Sequence, residues 1–338
     1  MEKRHKIIIL AVSIVIIVVT SVAVPLIIYS NNPSFNTQKL SQFNTGGTAV
    51  DVLVVDDIAY VVDTADNTPG GLRIINVSDP IHPYMLGSYY EAGRLISVDV
   101  AGNIAYLANT LVGLEIVNVS DPSNPIKIDQ YTGSGAVYDV QVIGEIAYVA
   151  DWSRGLVILN VSDPSNVREI ARYIIPGACI QLSISNNLAI ITDHLSLYTG
   201  IKVINVEDPH NPVQVGNHAH NDVDFWNPFL YGDYVYIGNH GIGGGELRIL
   251  DMNDPSDIVQ AGLYDDGGSV NSIFVKGTIA YLADNEKGLM VVDVSNPSNP
   301  VKIAQFFDGG HAIDVYVVED IVYIAAREDG LKIIKLLM

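Results

Sequence analysis

A repeat with a period of about 42 residues constrains the fold of this chain more than any other feature of its sequence. Its clearest copies are Gly155–Asn166, GLVILNVSDPSN, and Gly113–Asn124, GLEIVNVSDPSN. Further copies, some weaker or truncated, open at Gly71, Gly200, Glu246, Gly288 and Gly330. Self-similarity at a fixed period of this length is typical of solenoids and propellers. The sequence therefore predicts an array of similar units.

Aspartate–proline or asparagine–proline turns mark the boundaries of the period. Successive turns are separated by 42, 42, 45, 46 and 42 residues and begin at Asp79, Asp121, Asp163, Asp208, Asp254 and Asn296. Each unit contains four short β-rich runs separated by turn residues. In the third unit these runs are Val137–Val142, Ile146–Asp151, Leu156–Val161 and the segment near Arg168–Tyr173. Four antiparallel strands in about 40–45 residues are typical of a propeller blade.

The number of blades follows from counting third strands. Seven such strands open near Leu72, Leu114, Leu156, Ile201, Leu247, Leu289 and Leu331. The last unit stops after its third strand, and Gln38–Gly47 (QKLSQFNTGG) matches the outer strand and turn of Lys302–Gly310 (KIAQFFDGG). We therefore predict an all-β, seven-bladed β-propeller of four-stranded antiparallel blades, in which the N-terminal strand completes the last blade and removes its open edge.

The first 37 residues have a different composition. Met1–Lys6 carries three basic residues, and Ile7–Tyr29 then runs for 23 residues without a charge. Such a run can cross the ~30 Å hydrocarbon layer as a helix, with its basic flank in the cytoplasm. A cleaved signal peptide is the alternative, but its apolar region usually has ~7–15 residues. We predict a cytoplasmic flank at 1–6, a transmembrane signal anchor at 7–29, a linker at 30–37 and an extracellular propeller at 38–338.

Charge and cysteine content exclude some classes of partner and bond. The chain has 18 basic and 38 acidic residues and a formal charge of −20. Such a field repels nucleic acid, which is therefore not expected as a partner. The single cysteine, Cys179, allows no internal disulfide and lies in an apolar run, so we expect a buried thiol.

The repeat also resembles a known family. The pattern GL-x-[IV]-[IV]-[ND]-V-S-[DN]-P-x-[NH]-P, preceded by [IV]-A-Y, is similar to the LVIVD-repeat family of predicted β-propellers, over about Thr37–Met338. Units four and five depart most, since Ile190 replaces the tyrosine and Glu246-Leu247 replaces the Gly-Leu pair. Members of that family look like bacterial and archaeal cell-surface or exported proteins, mostly without an assigned activity. The resemblance thus implies fold and location but little chemistry.

Length variation between the units falls on one predicted face. In a blade, the loop between the second and third strands shares a face with the connector to the next blade. These segments are enlarged after Val62, from Asp193, from Asn239 and at Asn217–Pro228. Variable loops on a rigid scaffold usually carry binding residues. We expect a ligand site at blades four and five, formed by His218, His220, Asp222, Asp224, Phe225 and Trp226 with Trp152, His194 and His240.

Two kinds of ligand suit these residues. The imidazoles of His218, His220 and His240, with nearby carboxylates, are candidates for binding a divalent metal ion, which would be the only cofactor. The aromatic rings suit a carbohydrate or peptide groove instead. The alternatives without a ligand are a solvated polar loop and an aromatic cluster that fills the core.

A second candidate site comes from aligning the first strands. One position is polar in all seven units: Asp51, Ser97, Asp139, Gln181, Asn227, Ser272 and Asp314. The following position is apolar in every unit. This alternation is typical of innermost strands and predicts a polar ring at the mouth of a central channel, holding ordered water or a cation.

The sequence favours binding over catalysis. It contains no Gly-rich phosphate loop before a helix, no G-x-S-x-G elbow and no H-E-x-x-H motif. The leading hypothesis is a membrane-anchored binding module for a protein, peptide or glycan at the cell surface. Two alternatives are a metal-dependent hydrolase or lyase that uses the His/Asp loop, and a structural cell-envelope protein. Asn-Val-Ser sequons at Asn76, Asn118 and Asn160 recur because the turn recurs, which leaves their glycosylation open.

Overall fold

The structure is a computed structural model, and it describes residues 35–64, 70–90, 93–133, 136–194, 200–219, 225–239 and 245–337, with only the backbone of 225, 226, 245 and 246. These residues form 28 β-strands. The predicted anchor at 7–29 lies outside them. Within them, no helix is long and apolar enough to cross a membrane.

The strands form seven four-stranded antiparallel sheets, one for each repeat. After β1 (Asn36–Phe43), blade one contains β2 (Thr48–Val55), β3 (Ile58–Thr64), β4 (Gly71–Asn76) and β5 (Tyr84–Tyr90). Blade two contains β6 (Leu95–Ala101), β7 (Ile104–Asn109), β8 (Gly113–Asn118) and β9 (Ile126–Tyr131). Blade three contains β10 (Val137–Ile143), β11 (Ile146–Asp151), β12 (Gly155–Asn160) and β13 (Arg168–Tyr173).

The remaining blades repeat this order. Blade four contains β14 (Ala178–Ser185), β15 (Leu188–His194), β16 (Gly200–Asn205) and β17 (Val213–Ala219). Blade five contains β18 (Phe225–Tyr231), β19 (Tyr234–Asn239), β20 (Gly245–Asp251) and β21 (Val259–Gly268). Blade six contains β22 (Ser272–Lys276), β23 (Ile279–Asp284), β24 (Gly288–Asp293) and β25 (Val301–Phe306). Blade seven contains β26 (Asp314–Val318), β27 (Ile321–Ala325) and β28 (Leu331–Leu337), to which β1 is added.

The ring is closed by the first strand of the described chain. β1 pairs antiparallel with β28, from Asn36 opposite Leu337 to Phe43 opposite Leu331. The last sheet therefore has the order β1-β28-β27-β26. The prediction of seven four-stranded blades with an N-terminal closing strand is confirmed.

Tyrosines of the [IV]-A-Y pattern fill the spaces between blades. They are almost fully buried, at Tyr60, Tyr106, Tyr148, Tyr236, Tyr281 and Tyr323. Tyr60, for example, shares a cluster with Leu95, Val98 and Leu107 of the next blade. Because full burial of a large apolar side chain stabilises a fold by roughly 1.5–3 kcal/mol, these repeated contacts hold neighbouring blades together.

The Asp-Pro turns also join neighbouring blades. The carboxylate of Asp121 accepts a 3.0 Å hydrogen bond from the backbone amide of Ser123, and the Asp121 carbonyl accepts one from Asn124. The turn packs so closely on blade one that a Cβ on Gly87 would lie 2.1 Å from the Pro122 carbonyl oxygen. The turns therefore form part of the scaffold, and they lie on the face opposite the connectors between blades.

Candidate functional site

The innermost strands of all seven blades line a central channel. A β-bulge marks the start of several of these strands, as the register shift between Val137 and Asp139 shows. The bulge breaks the strict alternation of side chains between the two faces of the strand. Consequently Tyr138 and Asp139, although adjacent in sequence, both face the channel.

The seven aligned polar residues divide this channel into two cavities. The upper cavity, of about 500 Å³, lies on the connector face, and the lower cavity, of about 430 Å³, lies towards the Asp-Pro face. All of the seven residues except Gln181 line the lower cavity, and all except Ser272 line the upper one. The ring is therefore the floor of the upper cavity.

Side chains of the ring connect every blade to the next. Four backbone amides donate to ring side chains: Val98 to Asp51 (2.6 Å), Leu182 to Asp139 (3.0 Å), Asn227 to Gln181 (2.8 Å) and Val52 to Asp314 (2.9 Å). At the other three junctions, Ser97 Oγ donates to Asp139, Ser272 Oγ donates to Asp314, and Asn227 Nδ2 donates to the Asn271 carbonyl. Innermost strands are sheet edges, and their buried backbone amides need hydrogen-bond acceptors. The ring side chains supply these acceptors, so the ring has a structural role in addition to any water or cation that it holds.

The carboxyl groups of the ring lie in an environment that disfavours their negative charge. Burial raises the pKa of Asp139 to about 6. Burial, and then the charge and hydrogen bond of Asp314, raise the pKa of Asp51 well above its usual range, while burial also raises the pKa of Asp314. The carboxyl groups of Asp51 and Asp314 therefore interact across the junction of blades one and seven. Among the described residues, no lysine or arginine forms an ion pair with these three groups.

The wall of the upper cavity is mainly apolar and aromatic. Its apolar residues precede the ring positions in four blades and are Val50, Ile96, Ile180 and Ile313. Blade three contributes an aromatic pair, in which the ring centroids of Tyr138 and Trp152 are 5.1 Å apart. Arg94 and Asn271 complete the lining. A funnel with apolar walls and an acidic floor therefore opens on the connector face.

The lower cavity has an aromatic side and a polar side. Phe274 lies between Phe229 and Tyr316, with ring centroids 5.2 Å and 5.0 Å away. On the polar side, Asp99 accepts a 2.6 Å hydrogen bond from the Val142 amide, and Gln141 accepts a 2.7 Å bond from the Ile184 amide. These residues form a second layer of contacts between blades.

The sequence-predicted residues of blades four and five fall in different places. His220, Asp222, Asp224 and His240 lie outside the described residues, and Phe225 and Trp226 open β18 with only their backbone described. Of the other three, Trp152 lines the upper cavity and His194 is buried at the end of β15. His218 lies on β17, the outermost strand of its sheet, with Nδ1 3.3 Å from the Ile258 carbonyl oxygen. Three strand spacings, about 14 Å, separate that strand from the channel, so the structure does not bring His218 and Trp152 together.

The metal hypothesis stays a prediction. In the part of the chain that the structure describes, no group of three or more His, Cys, Asp or Glu side chains is arranged to hold a metal ion. Two of the three candidate ligands, His220 and His240, lie outside that part.

Comparison with known sequences identifies the repeat. The LVIVD repeat matches residues 46–91, 92–133, 134–174, 226–266, 267–306 and 309–335, which is more than half of the chain. The chain belongs to the LVIVD-repeat family. The matches of this LVIVD-repeat protein skip 175–225, the segment that contains blade four, so that blade departs most from the family pattern.

Similarity to known proteins beyond the repeat bears on the fold alone. No curated protein matches the chain. Among solved structures, the crystal structure of the computationally designed Ika8 protein is similar, with a TM-score of 0.63 over 89% of this chain and 100% of that chain, at 10% identity. An identity this low shows a shared fold and carries nothing about function.

Proposed function

We propose that this LVIVD-repeat propeller is a binding module that engages a protein, peptide or glycan through its connector face. The observation that supports it is the upper cavity, a concavity of about 500 Å³ that opens on that face. Ligand sites are usually clefts of roughly 300–1,000 Å³ with apolar walls and a few polar groups, and the upper cavity has this character.

Exposed apolar residues on the same face support a partner larger than the cavity. Leu111, in the loop between β7 and β8, and Ile174, in the connector to blade four, are 68% and 67% exposed. Isolated exposed apolar residues are common on soluble surfaces. Here they share a face with the opening of the upper cavity.

Site-specific photo-crosslinking tests the proposed face. A photoreactive residue placed at Leu111 or Ile174 is expected to crosslink a partner in intact cells. Matched positions on the opposite face are Ile81 and Ile143, which are 55% and 47% exposed. The proposal predicts crosslinks from the first pair and none from the second. Equal crosslinking from both faces, or crosslinking only through the Asp-Pro face, would rule out the connector face as the binding surface.

The same proposal places the propeller outside the cell, anchored by 7–29. Support comes from the uncharged 23-residue run and its basic flank. Because Cys179 is buried, a cysteine introduced at Leu111 becomes the accessible thiol of the propeller. A membrane-impermeant maleimide is expected to label Leu111→Cys in intact cells and to leave Glu2→Cys unlabelled until the cells are opened. The reverse pattern would place the propeller in the cytoplasm.

A further inference from the structure

The floor of the upper cavity contains carboxyl groups that form no ion pair with a described lysine or arginine. The carboxylates of Asp51, Asp139 and Asp314 lie on one ring, and the lysine and arginine ion pairs of the described residues all involve other acidic groups. Arg94 lines the same cavity, but its side chain is exposed at the rim and is not paired with the floor. A partly desolvated anionic floor stabilises a cation that enters the cavity.

The aromatic pair lies next to one of these carboxylates. Tyr138 precedes Asp139 on β10, and the bulge turns both side chains into the channel. The Trp152 ring packs on Tyr138 from the adjoining loop of the same blade. Aromatic faces within about 6 Å attract cations, and tryptophan and tyrosine do so most strongly. Blade three therefore lines the cavity with a carboxyl group and two aromatic rings.

Apolar side chains cover most of the remaining wall. Ile96, Ile180 and Ile313 come from three different blades and surround the space above the ring. A small hydrated metal ion makes no use of such a wall, whereas an organic cation gains from burying its hydrocarbon part there. The overall charge of −20 also raises the local concentration of cations.

From this arrangement we infer that the upper cavity binds an ammonium group carried on an apolar or aromatic stem, with Asp139 as its counter-ion. The inference rests on the proposed function of the connector face and specifies the chemistry recognised there. The ammonium group has two possible sources: a free amine, or a lysine side chain of a protein partner.

Isothermal titration calorimetry of the full chain in a neutral detergent tests the inference. The probes are phenethylamine, its neutral isostere 2-phenylethanol, and the N-acetyl amide of lysine. Phenethylamine is expected to bind at least tenfold more tightly than 2-phenylethanol. Preference for phenethylamine over the lysine derivative indicates a free amine as the natural ligand, and the opposite preference indicates a protein side chain.

Two aspartate substitutions separate recognition from folding. Asp139→Asn keeps an acceptor for the Leu182 amide but removes the charge, and it is expected to abolish the tenfold discrimination. Asp99→Asn is the matched control, because Asp99 also accepts an amide from the next blade but lines only the lower cavity. It is expected to bind phenethylamine like the wild type. If Asp139→Asn does not fold, Trp152→Leu in the loop of the same blade is expected to weaken the amine several-fold and 2-phenylethanol much less.

The pH dependence gives an independent readout. Asp139 faces Asp99 below the ring and Asp51 within it, and burial holds its pKa at about 6 in the empty site. Amine affinity is therefore expected to fall as the pH drops below 6, while affinity for 2-phenylethanol stays constant. Equal binding of amine and alcohol, wild-type binding by Asp139→Asn, or no binding by either amine would overturn the inference. In that case, continued crosslinking through Leu111 and Ile174 would show that the connector face is still the binding surface.

Discussion

The backbone amide of Val52 donates a 2.9 Å hydrogen bond to Oδ2 of Asp314, a residue 262 positions further along the chain. This bond joins the innermost strands of blades one and seven, beside the pairing of β1 with β28. Asp314 also accepts the Ser272 hydroxyl from blade six. One carboxylate thus connects three blades at the point where the ring closes.

Substitution of Asp314 separates its hydrogen bonding from its charge. Asp314→Ala removes the acceptor of two donors and is expected to lower the free energy of unfolding by about 1–3 kcal/mol. Asp314→Asn keeps a carbonyl oxygen for Val52 and offers an amide donor to Asp51, so its loss should be less than half as large. Urea unfolding of both variants measures the difference. Equal losses would show that charge, rather than hydrogen bonding, accounts for the effect.

Asp139 gives the stability of the propeller a pH dependence. Its folded-state pKa of about 6 is higher than the usual value near 4, because burial disfavours the charged form. The folded state therefore binds more protons than the unfolded state between these values, and this contribution to stability is lost as the pH rises from about 4 to 6.

Asp139→Asn removes that titration while keeping an oxygen acceptor. The variant is expected to gain stability relative to the wild type as the pH rises through this window, and the difference should level off above pH 6. Thermal unfolding at several pH values measures it. Asp163→Asn in an exposed turn is the control: hydrogen bonds from Ser165 lower the pKa of Asp163, so its titration lies below this window and its stability difference from the wild type should stay constant through it. A difference that shrinks with rising pH would contradict the assignment.

Much of the fold follows from the sequence because each blade repeats the same local signals. The alternation in the first strand, with Asp139 polar and Val140 apolar, indicates an innermost strand with one face in the channel. The wall of the upper cavity was not predictable in this way. In a regular strand Tyr138 would point away from the channel, because it is adjacent to Asp139, and only the bulge turns it inward.

The role of the ring was also beyond the sequence. A polar residue in a channel suggests water or a cation, but the acceptor of the Leu182 amide becomes evident only when neighbouring innermost strands are in place. Conversely, the enlarged connector assigns His218 to the site and its aromatic ring assigns Trp152, but neither signal reveals that His218 lies on an outermost strand.

The closing strand β1 is expected to be more sensitive to proline than the outer strands of other blades. Ser41 and Gln42 pair with Ile333 and Lys332, and in an antiparallel ladder one of two adjacent amides points to the partner strand. A Ser41→Pro, Gln42→Pro variant therefore loses at least one ladder hydrogen bond and leaves its partner group on β28 unsatisfied, which costs about 1–3 kcal/mol. It also frees the edge of β28, so size-exclusion chromatography should show self-association. Prolines at Arg172 and Tyr173 of β13 are the matched control, since both ends of that strand are covalently tied into the ring, and they should destabilise without association.

A buried ion pair in blade one provides the last prediction. Arg73 Nε lies 3.0 Å from Oδ2 of Asp63, and the two side chains are 5% and 0% exposed. Arg73→Met leaves a buried carboxylate without its counter-charge and is expected to cost about 3–5 kcal/mol.

The double variant Arg73→Met, Asp63→Ala removes both charges and should recover at least half of that loss, since an apolar replacement of a whole pair is often nearly neutral. Denaturant unfolding of the wild type, both single variants and the double variant completes the thermodynamic cycle. The Arg73→Met defect should also shrink as the pH falls, because burial already raises the pKa of Asp63 and loss of the guanidinium raises it further, so that the carboxyl takes up a proton. A double variant no more stable than Arg73→Met would show that packing of the arginine, and not its charge, maintains this part of blade one.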